Sequence, residues 1–268
     1  MKNVILTIAT VVLFAIGLQA QNDTVYFMKN GIVINKQSIK TADLDSMIFY
    51  NPQPGGIVDG DGNIYTSVVI GTQEWLVENM KTTRYNDGVT SIGTDFSGTS
   101  PAYAWYNNDI NNKPIYGALY NWYAVDAAST GGKNICPVGW HVPTDAEWTV
   151  LENFMIENGY NYDGTTSGNK IAKALADSTR WAFSTNEGAI GNTDYPSYRN
   201  LSGFTAVPAG NLYPGGMFVN LESNGDFWSS TAYNESWAWF RYLGSHNVYS
   251  FRNQKDKFVG ISVRCVKD

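Results

Sequence analysis

The sequence predicts a strand-rich domain with long polar loops and few helices, exported from the cytoplasm and preceded by a small β-module. Three observations lead there. Of the 268 residues, 14% are aromatic and only 16% charged, with 26 glycines, a balance closer to secreted β-rich chains than to helical cytosolic enzymes. Apolar residues alternate over short runs separated by stretches of Gly, Ser, Thr and Asn, and only two segments carry helical spacing. The N terminus has the order of residues found in signal peptides.

Met1-Lys2-Asn3 supplies the charged start, Val4 to Leu18 the apolar run, and Gln19-Ala20-Gln21 a small residue at a cleavage point, so residues 1–20 read as a signal peptide. The same run read as a membrane anchor is short. No cysteine follows it to take a lipid, and nothing later approaches the roughly 20 consecutive apolar residues of a spanning helix. The expectation is a mature chain without a transmembrane segment, soluble outside the cytoplasm, whether secreted, periplasmic or at the cell surface. A net charge of -6 and a pI near 4.9 argue against nucleic acid, which needs clustered Lys and Arg to neutralise phosphates.

Within 21–50, two alternating runs flank Asn30-Gly31, the dipeptide that supplies positive φ at both centres of a type I′ turn. A third run, Met47 to Tyr50, makes this a small three-stranded meander, whose free edge is a place for another chain to pair. Residues 51–58 open "NPQPGGIVDGDGN" and read as a Pro/Gly linker, so the main domain is expected over 59–268. Its first residues, "DGDGN", invite a calcium reading. A calcium loop of the EF-hand kind needs Gly at its sixth position and a carboxylate at its twelfth, and counting from Asp59 those places fall on Ile64 and Ile70. A turn is the better reading. Strands follow at 64–71 and in "EWLVENM", then a Gly/Ser/Thr/Asn-rich loop from Asn86 to Pro114.

The two helical segments are Asp145 to Asn158 and Gly168 to Asp177. The first is well marked: Thr144 stands at the N-cap and Glu147 three residues on, a reciprocal capping box, with acidic residues favouring the positive end of the dipole. Trp148, Leu151 and Met155 share one face of it. In the second, Ile171, Ala174 and Leu175 share a face.

"DGNIYTSVVIGTQEWLVENMKTTRYNDG" (61–88), "YAWYNND" (103–109), "YGALYNWYAV" (116–125), "CPVGWHVPTDAEWTVLENF" (136–154), "SGFTAVPAG" (202–210), "FWSSTAYNESWAW" (227–239) and "GISVRCVKD" (260–268) resemble, in order, the blocks of the Fibrobacter succinogenes major paralogous domain. That family is similar in turn to the formylglycine-generating branch of the C-type lectin fold. The resemblance implies an α+β, C-type-lectin-like domain, loop-rich, with a small twisted antiparallel sheet and its two ends close together. An alternating strand over Gly260 to Val266 is compatible with it. The family's biochemical role is generally unassigned.

Cys136 and Cys265 are the only cysteines. In an exported chain such a pair forms a disulfide more often than a reactive thiol, and the resemblance places the two in separate blocks that the fold can bring together. Formylglycine-generating chemistry instead needs two cysteines close together near the C-terminal end of the domain. With His141 and His246 the only histidines, a three-histidine metal site is excluded by count, and His141, just before the capped helix, reads as structural. No metal or cofactor is expected. The acidic residues form no recognisable pair for glycoside hydrolysis. What remains is aromatic-polar loop surface, suited to sugar rings or extended peptide: Trp105, Tyr106, Asn107, Asn108 and Asp109 in one block, Tyr213 in "NLYPGG", and Glu235 and Trp237 in "NESWAW". Of these, Tyr106 to Asp109 are expected to be exposed. Two functions follow as expectations: a non-catalytic module binding glycan or protein, or a thiol- and metal-dependent enzyme related to the formylglycine-generating group.

Overall fold

The computed structural model describes the strands Thr24–Lys29 and Ile32–Ser38 and residues 56–268. The chain divides between Pro52 and Gln53. In the first part β1 (Thr24–Lys29) and β2 (Ile32–Ser38) pair antiparallel with Lys29 opposite Ile32; the expected turn residues Asn30-Gly31 lie outside the described residues. The third expected run, Met47 to Tyr50, and the apolar run of residues 1–20 lie outside the described residues.

In the second part β3 (Ile57–Val58) pairs with β4 (Ile64–Tyr65), so the stretch expected as linker to residue 58 is already strand at Ile57. Asp59 builds the turn between them. Its Oδ1 accepts from the backbone N–H of Asp61 and of Asn63, both at 2.9 Å, and its Oδ2 from the Tyr65 hydroxyl at 2.6 Å, so the carboxylate is used by the chain itself. A Cβ on Gly60 would stand 2.2 Å from the Tyr85 carbonyl oxygen, which is why glycine is required there.

β5 (Ser67–Ile70) and β6 (Gln73–Leu76) form a hairpin. The long loop that follows carries β7 (Tyr103–Ala104) and α1 (Lys113–Tyr116), and β8 (Leu119–Tyr120) returns to pair with β7. A single helical turn, α2 (Ala127–Thr130), precedes β9 (Trp140–His141). The principal helix is α3 (Asp145–Glu157), with both halves of the capping box in place. Thr144 Oγ1 accepts from the Glu147 N–H, and Glu147 Oε2 accepts from the Thr144 N–H at 2.7 Å. Trp148, Leu151 and Met155 are buried as their spacing predicts.

The second expected helix shrinks to one turn, α4 (Ala172–Leu175). Asn161 explains this: its side chain donates to the carbonyls of Thr165, Ser167 and Gly168 and accepts from the Lys170 N–H, folding 161–170 into a loop that competes with helix. After the turn, Ala176 is extended and bridges to Ala206. Two further sheets follow, the hairpin β10 (Asn211–Tyr213) and β11 (Met217–Val219), and the antiparallel set β12 (Asn224–Ala232), β13 (Trp237–Gly244) and β14 (Phe251–Asp256).

The chain returns to its own beginning in β15 (Val266–Lys267), which lies between β6 and β9 in a four-stranded sheet, Val266 facing Trp75 on one side and His141 on the other. The expected alternating strand over 260–266 is corrected. Only Val266 of that stretch lies in a named strand, Gly260, Ile261 and Ser262 make isolated bridges, and all seven residues are buried. Ser262 and Arg264, the polar members of the alternation, are fully enclosed.

The reason lies in the layering. Successive residues of an extended chain face opposite ways, and Trp75 and Leu76, Phe227 and Trp228, and Val266 and Cys265 each fall into two different apolar cores. The strands therefore run between two cores. One core collects Leu76, Tyr120, Trp122, Trp140 and Trp228 around the disulfide; the other is built on Trp75, Trp148, Phe204 and Phe227, with the Trp75 and Trp148 rings 4.7 Å apart. The structure is thus mixed, with few helices and several small antiparallel sheets among the described residues.

Candidate functional site

A cleft of about 530 Å³ opens between the loop at 94–108 and the β10–β11 hairpin. Phe96, Leu212, Pro214, Phe218 and Phe258 supply its apolar wall, while Asp95 and Asn108 bring polar groups to it. The hairpin can reach over it because Gly215 and Gly216 turn the chain at φ of 87° and 81°, values that a side chain disfavours. Asp95 is fixed by accepting from the Ser97 N–H at 2.8 Å. Hydrogen bonds from the Ser97 side chain and backbone hold its carboxyl below the usual carboxylate range, so the polar lining carries negative charge.

The aromatic-polar residues expected from the sequence divide around this cleft. Asn108 lines it, and Tyr213 sits between the lining residues Leu212 and Pro214. Asn107, Asn108 and Asp109 are exposed, and Asp109 Oδ1 accepts from the Asn111 N–H at 2.9 Å. Tyr106 departs from its expected exposure. It is only 8% exposed and joins a smaller apolar cluster with Tyr116, Leu119 and Leu212, its ring 5.3 Å from that of Phe218, where it backs the cleft wall. Asn107 and Asn108 both lie at φ 55°, a left-handed turn that asparagine tolerates, and the reversal keeps Tyr106 inside while the two amides face out. Trp105 is half-buried, its ring edge-on to Tyr103 at 5.3 Å and 5.5 Å from the Lys113 ammonium. Glu235 and Trp237 are exposed, Trp237 at 41%, but neither lines the cleft. Phe96, Phe218 and Phe258 went unseen in the sequence because each stands alone in a polar or glycine-rich stretch, without a repeated aromatic pattern.

The cysteines, His141 and Arg241 are committed to the scaffold. Cys136 and Cys265 are joined, with Cα atoms 5.9 Å apart, within the range a disulfide bridges, and no cysteine is free. His141 lies between two carboxylates, Nδ1 at 2.7 Å from Asp268 Oδ1 and Nε2 at 2.8 Å from Glu147 Oε1. Burial disfavours its charge, but the hydrogen bonds to Asp268 and Glu147 outweigh that and raise its pKa. The ring thus ties the end of β9 to the cap of α3 and to the residue after β15. Arg241, fully enclosed, reaches Glu152 at 3.0 Å and Asp145 at 2.7 Å and fastens β13 to α3. Among the described residues no group of three or more His, Cys, Asp or Glu is arranged to hold a metal ion.

The fold and the cleft define a disulfide-fastened α+β domain whose surface features are built from loops. The family model of the Fibrobacter succinogenes major domain matches residues 68–267, and the chain belongs to that family. No curated protein and no solved structure matches it.

Proposed function

We propose that the chain is an exported, non-catalytic binding module on a C-type-lectin-like scaffold, taking a glycan or a protein segment in the cleft between the 94–108 loop and the β10–β11 hairpin. The observation that carries this is the cleft lining: rings of Phe96, Phe218 and Phe258 beside the carboxylate of Asp95 and the amide of Asn108. Concave apolar walls with a few fixed polar groups are the usual make-up of a ligand site. The β15 strand between β6 and β9, with one principal helix packed on the strands, supports the scaffold reading. The enzyme reading needs a free thiol, and both cysteines are joined.

A screen of glycans, plant polysaccharides and peptides against the purified protein tests the proposal. A ligand bound through the cleft loses about tenfold in affinity on Phe218→Ala, with the melting temperature little changed. A ligand whose affinity is indifferent to both Phe96→Ala and Phe218→Ala would place recognition elsewhere.

A further inference from the structure

A second, smaller pocket lies apart from the cleft, where the end of β6, α1 and the segment after Phe204 meet, with a volume of about 240 Å³. Four cations line it, Lys81, Lys113, Arg180 and Arg264, against one carboxylate, Glu78. That is four of the chain's 18 basic residues in one small concavity of a protein with net charge -6, so the local field opposes the global one.

The cations are poorly neutralised. Arg264 is fully buried, and its partners are all neutral: Asn79 Oδ1 at 2.7 Å and the carbonyls of Leu76, Phe204 and Thr205 at 2.9, 2.6 and 2.8 Å. Those four bonds leave one Nη2 hydrogen without a protein acceptor. Burial pulls its pKa down to about 9, with Glu78 acting the other way, so the guanidinium stays charged at neutral pH. The Lys81 and Lys113 ammonium groups meet aromatic rings, Tyr65 at 5.0 Å and Trp105 at 5.5 Å, and neither makes an ion pair among the described residues. Arg180 alone has a carboxylate partner, Asp177.

Glu78 narrows the ligand further. It accepts from the N–H and hydroxyl of Thr66, each at 2.9 Å, and a carboxylate has acceptor sites beyond those two. A bare inorganic anion has nothing to give it. A ligand with hydroxyl groups as well as a carboxylate satisfies both the cations and the acceptor. The volume, about 240 Å³, suits one small ring rather than a long chain.

We propose that this pocket binds a carboxylate-bearing sugar, with Lys81 and Lys113 reaching the carboxylate, the enclosed Arg264 adding positive charge from behind the wall, and Glu78 accepting from a ring hydroxyl. The site is independent of the cleft. Isothermal titration of the full chain with glucuronate and with glucose tests it. Glucuronate is expected to bind, more weakly as salt rises, and glucose at least tenfold less tightly. Lys81→Gln and Lys113→Gln each lower glucuronate affinity by about tenfold without moving the melting temperature, whereas Phe218→Ala in the cleft leaves it unchanged. The assignment is overturned by absence of glucuronate binding, by equal binding of glucose, by folded lysine variants that bind as before, or by a polyglutamate peptide binding where glucuronate does not.

Discussion

Replacing Cys136 and Cys265 together by alanine removes a crosslink between residues 129 apart in sequence. In the chain-entropy treatment, opening a loop of that length returns about 5 kcal/mol of freedom to the unfolded chain. A domain of this size loses roughly 2–4 °C of melting temperature per kcal/mol, so a fall of about 10–20 °C is expected. Both sulfurs are completely buried in the core around Trp140 and Trp228, and the alanines add a packing loss of their own. Wild-type protein under reducing conditions separates the two effects, since it lacks the crosslink but keeps the side-chain volume. The assay is thermal unfolding of the oxidised, reduced and doubly substituted proteins, with mass spectrometry of non-reduced peptides to verify the pairing. A reduced protein that melts within about 3 °C of the oxidised one would refute the reasoning, because the segments carrying Cys136 and Cys265 would then be held together by packing and hydrogen bonds alone.

Two other substitutions probe how α3 is attached. Arg241→Met leaves Glu152 buried without its cation, and such an orphaned charge costs about 3–5 kcal/mol; chemical denaturation measures it, and adding Glu152→Gln is expected to recover part of the loss. For His141, the folded-state pKa is raised, so its contribution is complete below the ordinary value of about 6.5 and disappears as pH rises through the folded value. Stability is therefore expected to decline above neutrality in the wild type. His141→Gln should flatten that part of the profile, and an unchanged slope would show that the clasp between Glu147 and Asp268 is not charged.

What could be read from the sequence was whatever depended on neighbours in the chain. The capping box at Thr144 and Glu147 and the spacing of Trp148, Leu151 and Met155 are local, and the structure keeps them. Gly168 to Asp177 has helical spacing too, but the side chain of Asn161, eleven residues before Ala172, takes the backbone groups that a helix would have used. Alternation over 260–266 suggested a strand with one solvent face, yet Arg264 is buried because its hydrogen-bond partners come from Leu76, Asn79, Phe204 and Thr205, which are distant in sequence. The cleft was only partly legible. Asn108 and Tyr213 stood out by composition, but it is the neighbours of Tyr213, Leu212 and Pro214, that line the cleft, and Phe96, Phe218 and Phe258 acquire meaning only when three separate segments converge.

The position of β15 between β6 and β9 has a consequence for how the molecule comes to be folded. The chain is synthesised from the N terminus, and until residues 259–267 emerge neither core is complete, since Val259, Ile261, Val263 and Cys265 belong to one and Val266 to the other. Pairing Trp75 with Val266 demands closure across most of the domain's length, a non-local contact of the kind that slows folding. A nascent chain lacking its last block holds α3 and the early hairpins without the strand that unites them.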